Sequence, residues 1–385
     1  MHTHLRHALL ALLLSLLLVT GGNLPAQDLG EALRDHDPSG DVVGDSPALL
    51  QSVAPEKATA TATTVRPFLI AVAADLHVCP GNLDGLERMV SRLNGMKGLD
   101  AVAICGDLNK KVATDDERDL AASLVGKLKK PVWAIVGNHD FMYKDKTGPD
   151  DKKYRGSPAE KRAKLKKFLE AFKQKAIRFS KLEGGHLLVF LPTDELSHKN
   201  LVRFSDKTLE YLKNTLAAHP NLPTIIFCHA PLLGSTVKEG GLGPVNGNAQ
   251  PAEKIRSILH DNPQVFLWFA GHKHIGPSSD SFHHPCNKVD GVTVVHVPGN
   301  STGRGIVRML ELTPDSAVVR TYDTHEKKYL KKFERVFRHA GHKPVINPPS
   351  KPDKDKNDGK KTLQQLLAEL QAAVKALKEL VARLF

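Results

Sequence analysis

From Pro67 onward, short apolar runs alternate with polar turns. Phe68–Ala74 and Leu99–Cys105 are continuous apolar stretches, the pattern of strands buried on both faces. Leu83–Leu93 has helical spacing, Asp119–Leu128 supplies a second helix, and Val132–Val136 reads as a third strand. Leu187–Leu191, Thr224–Cys228, Val265–Phe269 and Val292–Val297 repeat the strand pattern, with a helix over Asp206–Ala218 between the first two. Strands alternating with helices predict an α/β core of layered sheets. The pattern ends near Tyr322 to His325, which sets the expected domain at residues 67–325.

The flanks read differently. His2, His4, Arg6 and His7 precede the apolar run Ala8–Val19. That run is about 12 residues, short of the ~20 that span a bilayer, so it suits the core of a signal peptide. With Leu24-Pro25-Ala26 as cleavage neighbourhood, residues 1–26 are the expected signal. The protein is then exported, periplasmic or extracellular, with no transmembrane segment left after cleavage. Residues 27–66 lack periodicity and include the Ala/Thr tract Ala58–Thr64, a flexible linker. Residues 326–361 are basic and rich in Pro, Lys and Asp, a second linker. Over 362–385, Leu363, Leu366, Leu370, Leu377, Leu380 and Leu384 fall on a and d positions of a heptad. This amphipathic helix behind a flexible linker points to self-association.

Charge and cysteine add two constraints. Of the net charge of +12 on 385 residues, much falls between Lys144 and Lys181, where 14 Lys and Arg face 5 Asp and Glu. Ala159–Arg178 within it is an expected basic amphipathic helix carrying Leu165, Phe168, Leu169, Phe172 and Ile177. The segment reads either as a solvated helix face or as a positive rim for an anionic substrate. Cys79, Cys105, Cys228 and Cys286 are widely spaced and form no CxxC pair, which argues against a disulfide framework and a zinc ribbon.

The chemistry gathers where the strands stop. Phe68–Ala74 is followed by Asp75-Leu76-His77, Leu99–Cys105 by Gly106-Asp107, and Val132–Val136 by Gly137-Asn138-His139-Asp140. Thr224–Cys228 is followed by His229, and Val265–Ala270 by Gly271-His272-Lys273-His274. In open α/β sheets, function collects at the carboxyl ends of the strands. Asp and His offer oxygen and imidazole donors that suit Mn, Fe, Zn or similar divalent ions. Gly106, Gly137 and Gly271 are expected to let the chain turn sharply and approach an ion closely. Any one of these residues alone reads as a turn or a cap; five such strand exits together make a site.

Taken together, the five motifs resemble those of the calcineurin-like metallophosphoesterases, over about Pro67 to Asp323. The resemblance implies a β-sandwich flanked by helices with a two-metal site at the strand ends. It implies that Asp75, His77 and His274 bind one metal, that Asn138, His229 and His272 bind the other, and that Asp107 bridges them. It further implies attack on phosphorus by a metal-bridging hydroxide, with His139 as the acid that protonates the leaving group. Asp140 either orients His139 or holds the loop, and the loop role is the expected one.

Departures narrow the activity. Leu108-Asn109-Lys110 replaces the Asp-Arg-Gly of protein Ser/Thr phosphatases, and Asp140 stands where those carry Glu. Lys110 occupies the place of the tyrosine ligand of purple acid phosphatases. The pattern is most similar to the cyclic-nucleotide-phosphodiesterase-like branch, although Cys228-His229-Ala230-Pro231 departs from its His-His-Pro. Asn300 is expected to form a turn rather than to touch substrate. The leading expectation is therefore a phosphomonoesterase or phosphodiesterase. The competing ones are a nuclease of the same fold, which the basic stretch would favour, and a non-catalytic binding protein with a decayed site.

Overall fold

The computed structural model describes residues 66–339. The expected signal, most of the first linker and the C-terminal heptad helix lie outside the described residues. Thirteen strands are described: β1 (Phe68–Ala73), β2 (Leu99–Cys105), β3 (Val132–Ile135), β4 (Phe179–Glu183), β5 (His186–Leu191), β6 (Thr224–Cys228), β7 (Val265–Ala270), β8 (Lys288–Val289), β9 (Val292–His296), β10 (Ile306–Thr313), β11 (Ser316–Asp323), β12 (Lys328–Tyr329) and β13 (Arg335–Arg338). One sheet runs β12-β11-β10-β1-β2-β3, with β13 also on β11; the other runs β4-β5-β6-β7-β9-β8.

The two sheets face each other. Alternate residues of the first sheet, Ile70, Val72, Ala101, Ala103, Cys105 and Ile135, pack against Leu188, Phe190, Ile225, Phe227, Leu267 and Phe269 of the second. Phe190, Phe227 and Phe269 form a stacked ladder with ring centroids 4.6 and 5.1 Å apart. The intervening residues point outward to helices. Ala71, Val102 and Ile104 meet Leu86, Met89 and Leu93 of the helix Leu83–Asn94, while Ile226 and Trp268 share the outer core with Leu212 and Leu216 of Asp206–Ala218. Both central sheets are thus covered on both faces, which is why their strands read as continuous apolar runs.

Strand direction positions the site. β1, β2 and β3 are mutually parallel, and so are β5, β6, β7 and β9, so the carboxyl ends of each set share one edge. Antiparallel strands close the flanks, with β10 inserted beside β1 and β4 beside β5. The hairpin between β4 and β5 turns through Gly184 and Gly185, both at positive φ (54° and 79°).

Some boundaries move. The helix expected at Asp119–Leu128 spans Asp115–Gly126: Thr114 caps it, accepting from the Glu117 amide, and the acidic first turn complements the helix N-terminus. The basic helix expected over Ala159–Arg178 spans Pro158–Ala171, and Ile177 is buried from the segment that follows it. Two further strands, β12 and β13, lie past residue 325 and pair with β11. Among the described residues, no helix is long and apolar enough to cross a membrane.

Candidate metal centre

Each of the five motif segments leaves the end of its strand and turns inward to the same place. The turns are tight: Asp75, His77, Asp107, His272 and His274 all have positive φ, between 42° and 67°, a region non-glycine residues occupy at a cost of about 1 kcal/mol or more each. Backbone bonds hold these turns, with Asp75 N and His77 N donating to the carbonyls of Gly106 and Asp107, both at 3.0 Å. Asn82 braces the first turn from below, donating through Nδ2 to the carbonyls of Leu76, His77 and Ser301.

Of the three glycines expected to shape the turns, only Gly106 has a left-handed backbone (φ 80°). The other two are small for lack of room. A Cβ on Gly137 would stand 2.2 Å from Asp107 Oδ1, and one on Gly271 would stand 2.3 Å from Asp75 Oδ2. The close approach is therefore made to the two site carboxylates.

Seven side chains converge, six of them in two groups, and a third group of His77, Asp107 and His139 overlaps both. Asp75, His77 and His274 offer donor atoms within 4.8 Å of one another, as do Asp107, His229 and His272. Asn138 Oδ1 lies 3.2 Å from His229 Nε2. Asp107 stands between the groups, its Oδ2 3.6 Å from His77 Nε2 and 3.3 Å from His229 Nε2. All seven residues are buried except His274, whose side chain is 41% exposed. The set spans both sheets: β1, β2 and β3 supply four of these residues, and β6 and β7 supply three.

The tautomers decide what this cluster can hold. His77 donates Nδ1–H to the Lys110 carbonyl at 3.1 Å, His229 donates Nδ1–H to the Cys105 carbonyl at 2.8 Å, and His272 donates Nε2–H to the Asn246 carbonyl at 2.7 Å. A carbonyl oxygen can only accept, so in each neutral ring the other nitrogen is a bare lone pair. Those lone pairs face inward: His77 Nε2 lies 3.2 Å from His274 Nε2, and His272 Nδ1 lies 3.2 Å from His229 Nε2. Lone pairs aimed at one another and at carboxylate oxygens repel unless a cation sits among them. The outer carbonyls thus fix the rings as metal ligands are fixed, and the donor set fits two divalent ions.

The electrostatics agree. Burial alone would lower His229, but the Asp107 and Asp75 carboxylates overcome it and lift the ring to about 9. Burial would likewise raise Asp107, yet the surrounding imidazoles, His229 first, hold it well below the usual carboxylate range. His272, pressed by burial and by His229, falls to about 4. The pocket attracts positive charge: without an ion, a proton on His229 Nε2 takes the place among these acceptors that a metal would fill.

His139 and Asp140 part company. The His139 amide donates to Asp107 Oδ1 at 2.7 Å, which aims the ring toward the cleft. Its Nδ1 is buried without a partner, and its Nε2 lies 3.4 Å from Lys153 Nζ. Burial pushes this imidazole down to about 4. Asp140 makes no bond to that ring. It accepts the backbone amides of Gly137, Asp107, Leu108 and Asn109 and the Asn109 side chain, at 2.8 to 3.0 Å. Burial and the Asp107 charge raise its pKa to about 7, while five donors act against that rise, because only an ionised carboxylate accepts them all.

The ligand candidates open onto a cleft of about 600 Å³ lined also by Lys110, Lys111, Tyr143, Lys153, Leu201 and Leu242. The basic stretch 144–181 contributes Lys153 to it. Lysines of the following helix are spent elsewhere: Lys161 donates to the Leu196 and His198 carbonyls, and Lys164 to the Val112 carbonyl and Asp145. Asn300 is buried in a turn, bonded to Pro298 and Ile306. Reading the motifs does not find Lys153, Tyr143 or Asn109; the one available signal is the basic run, which does not single out any of its members.

Comparison with known proteins follows this geometry. A family model described as calcineurin-like phosphoesterase matches residues 68–276, a stretch that contains every candidate ligand. Among solved structures the chain is similar to a dimetal phosphatase from Danio rerio, with a TM-score of 0.51 at 14% identity, covering 71% of this chain and 100% of that one. It is also similar to purple acid phosphatase PPD1 from yellow lupin, Lupinus luteus, with a TM-score of 0.47 at 12% identity, covering 71% and 54%. At such identities the first likeness speaks for the fold alone. No curated protein matches this chain.

Proposed function

The chain belongs to the calcineurin-like phosphoesterase family of metal-dependent phosphoester hydrolases, and on that premise we propose that it is an exported dinuclear-metal phosphomonoesterase or phosphodiesterase. Asp75, His77 and His274 would hold one ion and Asn138, His229 and His272 the other, with Asp107 standing between the two groups. One observation carries this assignment: three backbone carbonyls fix the protonated ring nitrogens so that the lone pairs of His77, His229 and His272 converge. Two divalent ions, when bound, supply Lewis acidity and an activated water.

The chain's own groups do the rest. The backbone turns hold the donors at fixed spacing before substrate arrives, which lowers the cost of organising the site. His139, held by its amide to Asp107, presents its ring beside the cleft without being needed as a ligand. Burial keeps that ring neutral in the absence of substrate, and an arriving phosphate dianion favours its protonated form. The proton then stands ready for the leaving oxygen, a contribution of about 10²–10⁴ in rate.

The test uses purified protein with Mn²⁺ on p-nitrophenyl phosphate and bis-p-nitrophenyl phosphate. Turnover of at least one is expected; turnover of neither by metal-loaded protein overturns the reading. His139→Ala should retain metal and lose about 10²–10⁴ in kcat, whereas Asp107→Ala should lose metal and turnover together. Cleavage of DNA faster than of either small ester would favour the nuclease.

A further inference from the structure

The charged lining of the cleft is unbalanced beyond what the ions require. Three lysines, Lys110, Lys111 and Lys153, line it together with Asp107 and Asp151. Asp107 belongs to the ligand cluster, and Asp151 is paired with Lys111. Among the described residues, neither Lys110 nor Lys153 forms an ion pair. Lys153 has a defined place: its Nζ stands 5.3 Å over the Tyr143 ring and 3.4 Å from His139 Nε2. Tyr143 is a fixed platform, because its hydroxyl accepts Asn138 Nδ2 at 3.3 Å and its ring also carries the Arg155 guanidinium at 5.1 Å. Lys153 is solvent-exposed, but its ammonium lies between the Tyr143 ring and the one imidazole outside the proposed ligand set.

We propose that Lys153, assisted by Lys110, selects phosphoesters whose leaving group carries a second anionic group close to the leaving oxygen. The inference rests on the hydrolase reading, in which His139 faces the leaving oxygen; a cation beside His139 then meets the departing part of the substrate. In the reaction the bond from phosphorus to the leaving oxygen breaks, water adds its oxygen to phosphorus, and the leaving oxygen takes the His139 proton; one water proton stays on the phosphate and the other is released to reprotonate His139. The second anion takes no part in this exchange. It pairs with the ammonium of an exposed lysine at the cleft rim, in a charge-assisted hydrogen bond stronger than a neutral one. Leu201 and Leu242 in the same lining offer apolar contact for the organic body between the two anions.

The experiment is a double ratio, which cancels intrinsic leaving-group reactivity. Mn²⁺-loaded wild type and Lys153→Gln are assayed on phenyl phosphate, 2-carboxyphenyl phosphate and catechol bisphosphate, the last two separating a carboxylate from a second phosphoryl group. Going from wild type to Lys153→Gln, at least one charged substrate should lose about tenfold more in kcat/KM than phenyl phosphate does, chiefly through KM. Lys153→Arg should restore most of it, and Lys110→Gln should give a smaller loss of the same kind. Equal losses on all three substrates overturn the inference. Calorimetric titration with phenylphosphonate and 2-carboxyphenylphosphonate separates the two readings. Turnover of phenyl phosphate with no Lys153-dependent discrimination in rate or binding refutes this inference alone. Discrimination in binding with no ester turned over refutes the hydrolase reading and leaves the anion site standing.

Discussion

Asp140 spends both oxygens on the loop that carries the site. Oδ2 accepts Gly137 N and Asp107 N, and Oδ1 accepts Leu108 N, Asn109 N and Asn109 Nδ2. In Asp140→Asn the new amide group would face two backbone N–H groups and leave them buried without acceptors. We expect at least about 2 kcal/mol of lost stability by urea denaturation, together with weaker metal binding. His296 makes a different kind of prediction. It is buried, donates Nε2–H to the Ser235 carbonyl at 3.0 Å, and leaves Nδ1 without a partner. Burial first, then Arg308 and Lys273, depress its pKa from 6.5 to about 4. Below pH 6.5 the unfolded chain therefore binds a proton that the folded one refuses, so stability falls as pH drops from 6.5 towards 4. Urea midpoints measured across that window should fall less steeply in His296→Gln than in wild type.

Among the elements, the central strands are both the core and the pointers. Phe227 on β6 stacks between Phe190 and Phe269, is fully buried, and lies on the strand that delivers His229. Phe227→Ala should cost about 3–5 kcal/mol and lower metal affinity through His229, measurable as a denaturation midpoint and a metal titration. The buried parallel strands are legible in the sequence because a strand covered on both faces is apolar throughout, whereas β10 and β11, which carry Arg308, Glu311 and Arg320, are not. The ligand candidates are legible too, because only a few residue types can do their work and each follows a recognisable strand. β4 was not legible: Phe179–Glu183 is a half-exposed edge strand with Ser180, Lys181 and Glu183 in it, and no period sets it apart from a loop. β12 and β13 are short, exposed edges for the same reason. Lys153 has no signal of its own in the sequence because its place is set by the Tyr143 ring beneath it, a contact that sequence spacing does not report.

For the whole molecule, the proposed ligands join the two sheets. Four come from the ends of β1, β2 and β3 and three from the ends of β6 and β7, so a bound ion resists separation of the layers. Mn²⁺ at about 100 times its Kd should raise stability by about 2.7 kcal/mol, read as an upward shift in the thermal midpoint that a chelator reverses. Asp107→Ala should abolish most of that shift.

The spacing of these ligands along the chain also fixes an order in time. His77 and His274 touch across 197 positions, and β1 gains its second neighbour only when Ile306–Thr313 arrives as β10. A chain leaving the ribosome N-terminus first carries Asp75 and Asp107 long before His229, His272 and His274 exist to share an ion with them. Non-local pairings of this kind form late in folding. Capture of both ions by the full set therefore waits until His274 has joined the folded edge, so a bound metal reports the assembly of both sheets and not of the first alone.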